Sequence, residues 1–276
     1  MIEFHPIGSG LTALPPLSLY VHLPWCVQKC PYCDFNSHQS SSEGLPEEAY
    51  IQALLQDLEH ELPHIWGRSV ETIFIGGGTP SLFQAASIDK LLAGIRARVR
   101  LLPNAEITME ANPGTFERER FAGFAAAGVN RLSLGVQSFQ PEHLQALGRI
   151  HDDKQAITAI EAACKLFPRF NVDLMYALPK QSIEQAVRDV QTAIDLGAPH
   201  ISAYQLTLEP NTAFGHTPPK NLPDDDALID IEEAVHATLL QAGFSRYETS
   251  AFNRDGLPCR HNVNYWQFGD YIGIGA

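Results

Sequence analysis

The stretch Cys26-Val-Gln-Lys-Cys30-Pro-Tyr-Cys33 constrains this sequence more than any other part of it. Pro31 lacks an amide hydrogen and disfavours helix, so the segment reads as an exposed loop. The chain between the thiols need turn only once for all three to face one inorganic centre. Three thiolates suit an iron–sulfur cluster whose fourth iron carries no cysteine, and an iron left open can bind a small molecule. The competing reading is a structural zinc site, which needs a fourth ligand such as His22 or His38. The paired cysteine spacing usual for zinc does not complete such a set.

The five cysteines, three of them crowded together, do not read as a disulfide framework. Crowded thiols point to a reducing compartment, and the expected location is the cytoplasm. A net charge of −13 disfavours a surface that tracks phosphates, which argues against nucleic acid as a partner. No apolar run is long enough to span a bilayer, and the N-terminus lacks the basic and apolar regions of a signal peptide.

Along the chain, strand and helix patterns alternate. Residues 1–16 read as a loose leader, Ser18 to His22 as a strand, and Ser40, Ser41, Ser42 and Gly44 as a polar linker. Expected helices run from Glu47 to Leu62, Ile88 to Leu101, Phe116 to Ala127, Asp152 to Leu166, Ile183 to Leu196 and Asp225 to Gln241. Between them fall strands at Val70 to Ile75, Ala105 to Glu110, Arg131 to Val136, Phe170 to Met175 and Ile201 to Leu206. Asp152 and the aspartates after Pro223 suit helix N-termini. About six such units with parallel connections predict an α/β fold; they are too few to close an eight-stranded barrel, and an open partial barrel fits better than a flat doubly wound sheet. Residues 17–245 form this expected core. Residues 246–276 read as the start of a C-terminal domain, with a strand from Arg246 to Ser250 and a turn from Asn253 to Pro258. The glycine-spaced ending Tyr271 to Ala276 reads as the middle of a structure, which predicts truncation there.

Several polar residues fall at or near the ends of expected strands. Gly76, Gly77 and Gly78 precede Thr79 and Pro80 at such an end, where folds of this class place ligands. Without side chains this turn would let a ligand approach the backbone, although an ordinary tight turn explains the run equally well. Glu110, Gln137 and Asp173 occupy comparable positions, and Tyr20 lies in the first strand. Carboxylates suit ribose hydroxyls or an amino group, and Arg149 suits a ligand carboxylate. His261 in His261-Asn-Val-Asn-Tyr265-Trp266 reads either as a hydrogen-bonded core histidine or as an axial heme ligand beside flat aromatic surface. Cys259 is a rival ligand, and Cys164 reads as buried filler.

Together the C-x-x-x-C-x-x-C loop, the GGGTP turn, Glu110 in Met-Glu-Ala-Asn-Pro and Gln137 in Gly-Val-Gln-Ser-Phe resemble radical S-adenosylmethionine proteins. Within that superfamily the sequence is similar to the oxygen-independent coproporphyrinogen III oxidase group. The resemblance implies an open (β/α)6 radical-SAM barrel. It implies a [4Fe–4S] cluster on Cys26, Cys30 and Cys33, and S-adenosylmethionine contacts from Tyr20, Gly77, Gly78, Thr79, Glu110, Gln137, Arg149 and Asp173. The oxidases resemble one another in a further cysteine two residues after the third, where this chain has Asp34-Phe35. That departure and the HNxxYW segment resemble the heme-chaperone branch. Likeness to that branch implies heme binding, with His261 as ligand, and delivery to recipient heme proteins, with peripheral membrane contact compatible. The alternative is an oxidase carrying out radical oxidative decarboxylation. Neither reading names a catalytic residue.

Overall fold

The computed structural model describes residues 13–41, 44–114 and 117–276. Residues 1–12 of the expected leader, Ser42 of the linker and Phe116 of the third helix lie outside the described residues. In chain order the strands are β1 (Leu17–Leu23), β2 (Trp25–Cys26), β3 (His38–Gln39), β4 (Ser69–Gly77), β5 (Arg100–Ala111) and β6 (Arg131–Gln137). They continue as β7 (Phe170–Tyr176), β8 (His200–Gln205), β9 (Ser245–Arg246), β10 (Ala251–Asn253) and β11 (Asp270–Ile274). The helices are α1 (Glu47–Glu61), α2 (Ala85–Arg98), α3 (Glu117–Ala127), α4 (Pro141–Ala146) and α5 (Asp153–Leu166). After these come α6 (Ile183–Asp195), α7 (Ala213–His216), α8 (Asp225–Gln241) and α9 (Arg260–Trp266).

One sheet runs in the order β11-β1-β4-β5-β6-β7-β8-β10-β9, parallel from β11 to β8 and antiparallel beyond. Side chains alternate across its two faces. Leu19, Val21, Ile73, Ile75, Ile107, Met109, Leu132 and Leu134 belong to the buried core that the helices share. The opposite face of the same strands carries Ser18, Tyr20, Thr72, Glu106, Glu110, Arg131 and Ser133. The curved sheet is therefore an open barrel with a polar lumen. That lumen is what positions the site. Among the described residues no helix is long and apolar enough to cross a membrane.

Helix ends follow the local chemistry. Asp152 forms a capping box with Gln155, and the Asp224 carboxylate accepts the Ala227 amide. The second helix, expected to reach Leu101, stops at Arg98 because Val99 is extended. Arg100 and Leu101 instead pair with Ser69 and Val70, which lengthens β5 beyond the expected strand. The strand expected from Arg246 to Ser250 is also revised: only Ser245–Arg246 pairs there, and Glu248 turns back to bond the Ser250 amide. β10 follows and runs antiparallel to β8, unlike the parallel connections expected throughout. The ending at Tyr271, for which no element was expected, is β11, aligned with β1 so that Ser18 faces Tyr271 and Tyr20 faces Gly273.

One buried acid ties a helix to the lumen rim. Asp189 of α6 accepts Ser138 Oγ at 2.6 Å and the Phe139 amide at 2.9 Å, fixing the turn that follows Gln137. Asp189→Ala leaves both donors buried and unpaired, with an expected loss of about 2–4 kcal/mol. Urea unfolding of the variant beside the parent checks this.

Candidate functional site

The three cysteines lie in a loop closed at its base by the parallel ladder of β2 and β3, Trp25 with His38 and Cys26 with Gln39. The loop folds on itself through the Cys33 amide to the Cys30 carbonyl at 3.1 Å. The Phe214 amide, beyond β8, holds the Pro31 carbonyl at 2.9 Å. Burial pushes the Cys26 thiol pKa up, with Thr79 and Ser37 opposing it and the Cys33 and Cys30 sulfurs adding to it. The sulfurs thus sense one another. Among the described residues, however, no three His, Cys, Asp or Glu side chains stand close enough to hold one metal ion. A cluster differs from a single ion in that each sulfur takes its own iron, so wider spacing is compatible with it. The zinc reading also loses His22, whose Nε2 is bonded to the Asn36 carbonyl at 2.8 Å and whose Nδ1 meets the Tyr20 hydroxyl at 3.0 Å.

The glycine turn lies beside this loop, and part of its bare backbone serves the packing of the protein itself. A methyl on Gly77 would stand 2.7 Å from the His22 ring, and one on Gly78 2.5 Å from the Trp25 carbonyl oxygen. Gly77 also has φ of 117°, where a side chain is strained. The Gly78 and Thr79 amides donate to the Leu23 and Trp25 carbonyls at 2.8 and 2.7 Å. The glycines make room for the cysteine loop to dock on β4. Gly76 leaves space for Glu110, whose Oε2 accepts the Gly77 amide at 3.1 Å.

Glu110, Gln137, Arg149 and Asp173 converge on the same end of the lumen. Gln137 has φ of 70° and follows a register shift between β6 and β7 after Gly135, an irregularity that re-aims its side chain. Arg149, beyond α4, reaches back to Gly135 O at 2.6 Å, Asn112 Oδ1 at 2.7 Å and Cys30 Sγ at 3.5 Å. Its Nε is buried without a partner among the described residues. Glu110 and Asp173 retain some contact with the lumen space although protein surrounds them. Burial, with the Asp173 charge adding, raises the Glu110 pKa to about 8. Burial raises that of Asp173 too, opposed by hydrogen bonds from Ser133 and Asn171. Tyr20 is likewise shifted upward, by burial first and by Glu110 second.

Asn112 was missed by sequence reasoning. Its amide nitrogen donates to Thr79 Oγ1 at 2.9 Å while its oxygen holds Arg149, so it ties the glycine turn to the arginine. The available signal was its position, two residues beyond Glu110 and just past the end of β5.

His261 is not part of this group. It lies with Thr72, Ser18 and Glu106 near the N-terminal ends of the strands, at the opposite mouth from the cysteines. Its Nδ1 meets Thr72 Oγ1 at 2.7 Å and its Nε2 the Tyr265 hydroxyl at 2.9 Å. The ring is 2% exposed, and burial pulls its pKa down to about 4. Axial ligation through Nε2 therefore requires the Tyr265 hydroxyl to give way. The rival Cys259 is also buried, with Sγ 3.5 Å from Glu106 Oε1. Cys164 is exposed rather than buried, because it falls outside the apolar stripe of α5.

A barrel with a cysteine loop at the C-terminal mouth of a polar lumen defines a protein class. The family model described as "Radical SAM superfamily" matches residues 20–193. The solved structure of coproporphyrinogen III oxidase (HemN) from Escherichia coli, a radical SAM enzyme, is similar with a TM-score of 0.83 at 28% identity. That match covers 95% of this chain and 64% of the oxidase. Heme chaperone HemW of Escherichia coli (strain K12) is 58% identical over 267 residues, covering 96% of this chain and 70% of the relative. Heme chaperone HemW of Haemophilus influenzae is 55% identical, covering 95% and 70%. The chain belongs to the radical SAM superfamily and, within it, to the HemW family. The superfamily uses a [4Fe–4S] cluster and S-adenosylmethionine.

Proposed function

We propose that this protein is a heme chaperone that binds heme and passes it to heme-dependent proteins, with a cluster- and S-adenosylmethionine-binding barrel as its core. The observation that carries the reading is 58% identity across 267 residues to a heme chaperone, against 28% to the oxidase. Geometry supports it. Aromatic rings run from Tyr20 through Phe74, His261 and Tyr265 to Tyr271, each centroid 5.1–6.3 Å from the next. Tyr265, Trp266 and Tyr271 are exposed at the end of this run, and offer flat surface to a porphyrin.

In this reading Cys26, Cys30 and Cys33 hold the cluster, which when bound offers an open iron to the amino and carboxylate groups of S-adenosylmethionine. The residues present suit both groups. Arg149 Nε, unpartnered among the described residues, fits a ligand carboxylate, while Glu110 and Asp173 fit the N–H donors of an amino group and ribose hydroxyls. Tyr20, Gly77, Gly78, Thr79 and Gln137 complete the surround. The Arg149 guanidinium, donating to Cys30 Sγ, also steadies negative charge on that sulfur. His261 is the proposed heme ligand, reached when Tyr265 swings aside. The proposed location is the cytoplasm, with heme recipients met in solution or at a membrane surface.

Anaerobically reconstituted protein given hemin is expected to retain it through gel filtration and release it to a heme-free acceptor protein. Sustained decarboxylation of coproporphyrinogen III by the same preparation, without hemin retention, would establish the oxidase reading instead.

A further inference from the structure

The floor of the lumen holds a carboxylate that the cluster end does not use. Glu106 of β5 is 3% exposed, and its Oε1 receives the Arg260 amide at 2.8 Å and the His261 amide at 3.3 Å. Its Oε2 stands 2.7 Å from Arg169 Nη1, and Arg131 lies close enough to feel its charge. A carboxylate this buried persists only where fixed donors and cations surround it.

The donors come from the first turn of α9, a seven-residue helix with no side-chain cap of its own at Cys259. So short a helix does not hold itself in water. Its first amides must find acceptors, and Glu106, 154 positions earlier in the chain than Arg260, supplies one. The Tyr247 hydroxyl supplies another, accepting the Cys259 amide and Asn262 Nδ2, each at 3.3 Å. That hydroxyl is itself fixed. Asn171 Nδ2 donates to Ser133 and Asp173, so Asn171 Oδ1 must accept from His200 Nδ1–H at 2.7 Å. His200 Nε2 is then left to accept the Tyr247 proton at 2.9 Å. Every donor in this column points toward Asp173.

We propose that Glu106 is a positioning residue for the segment Arg260–Trp266. It sets where His261 and Tyr265 stand without touching any ligand, and this rests on the reading that the segment takes heme. Two comparisons test it on the reconstituted protein, with hemin as probe. Glu106→Ala removes the acceptor. Arg260→Pro removes only the matching backbone donor at a helix position that tolerates proline, with Arg260→Ala as the control that keeps the amide. In Glu106→Ala and Arg260→Pro, amide hydrogen exchange across residues 261–266 is expected to rise about tenfold or more over the parent and over Arg260→Ala. The absorption spectrum of bound hemin should change in both and its affinity fall about tenfold, while iron content stays at the parent level. Should Glu106→Ala fail to fold, the proline–alanine pair decides alone. The proposal is overturned if Arg260→Pro matches Arg260→Ala in exchange, or if exchange rises while the hemin spectrum and affinity stay fixed. A parent protein that does not retain hemin sinks the chaperone reading instead, and exchange still decides whether Glu106 holds the helix.

Discussion

Replacing Cys26, Cys30 and Cys33 together by alanine is expected to take the anaerobically reconstituted protein from about four irons per chain to none, with loss of sulfide and brown colour. The fold is expected to survive. The loop's base is held by backbone pairing of Trp25–Cys26 with His38–Gln39 and by the Phe214 amide on the Pro31 carbonyl, none of which uses a thiol. The glycine turn docks through backbone carbonyls as well. Far-ultraviolet circular dichroism should therefore match the parent, while thermal stability falls, because a group bound only by the native state stabilises that state. Arg149 loses its sulfur partner but keeps Asn112 and the Gly135 carbonyl, so the rim should stay ordered. Stoichiometric iron in the triple variant, or zinc in place of iron in the parent, would remove the basis of the cofactor assignment.

Much of this site was open to reading because its elements announce themselves locally. Hydrophobic alternation in β1, β5 and β6 places Tyr20, Glu110 and Gln137 on the face opposite the core, and three close-spaced cysteines require one loop. Other features depend on partners far away in sequence. Nothing near Thr72 signals that its hydroxyl meets a histidine 189 residues later, and nothing near His261 signals that both ring nitrogens are taken. β11 was missed although Tyr271, Ile272 and Ile274 favour strand, because Asp270 and Gly273 interrupt so short a pattern; pairing with β1 completes it. At the glycine turn, composition says that space is needed there, not whether protein or ligand fills it. Gln137 in a left-handed conformation was likewise invisible, since glutamine carries no local preference for it.

Binding of S-adenosylmethionine is expected to strengthen with pH, and Glu110 is the reason. Among the described residues its side chain accepts one backbone hydrogen bond, from Gly77, while burial and the Asp173 charge hold its pKa near 8 against an ordinary 4.5. The folded protein thus binds more protons than the unfolded chain between those two values. Stability contributed by the neutral carboxyl is complete below pH 4.5 and is lost as pH rises through about 8. Glu110→Gln removes the penalty for charging, so its thermal midpoint should exceed the parent's at about pH 9 and not at about pH 4. The N–H donors of the ligand's amino group, placed against Glu110, favour its ionised form, so binding should expel a proton from Glu110. Glu110 should then add about a tenfold rise in affinity per pH unit from about pH 6 to about pH 7.5, and about one proton more released than from Glu110→Gln in calorimetry across buffers of different ionisation heat. Glu110→Gln lacks that proton and the stronger carboxylate acceptor, and its affinity should be at least about tenfold lower with a shallower dependence on pH. Parent binding that ignores pH over this range, or a glutamine variant that binds as tightly, would place the ligand's amino group elsewhere in the lumen.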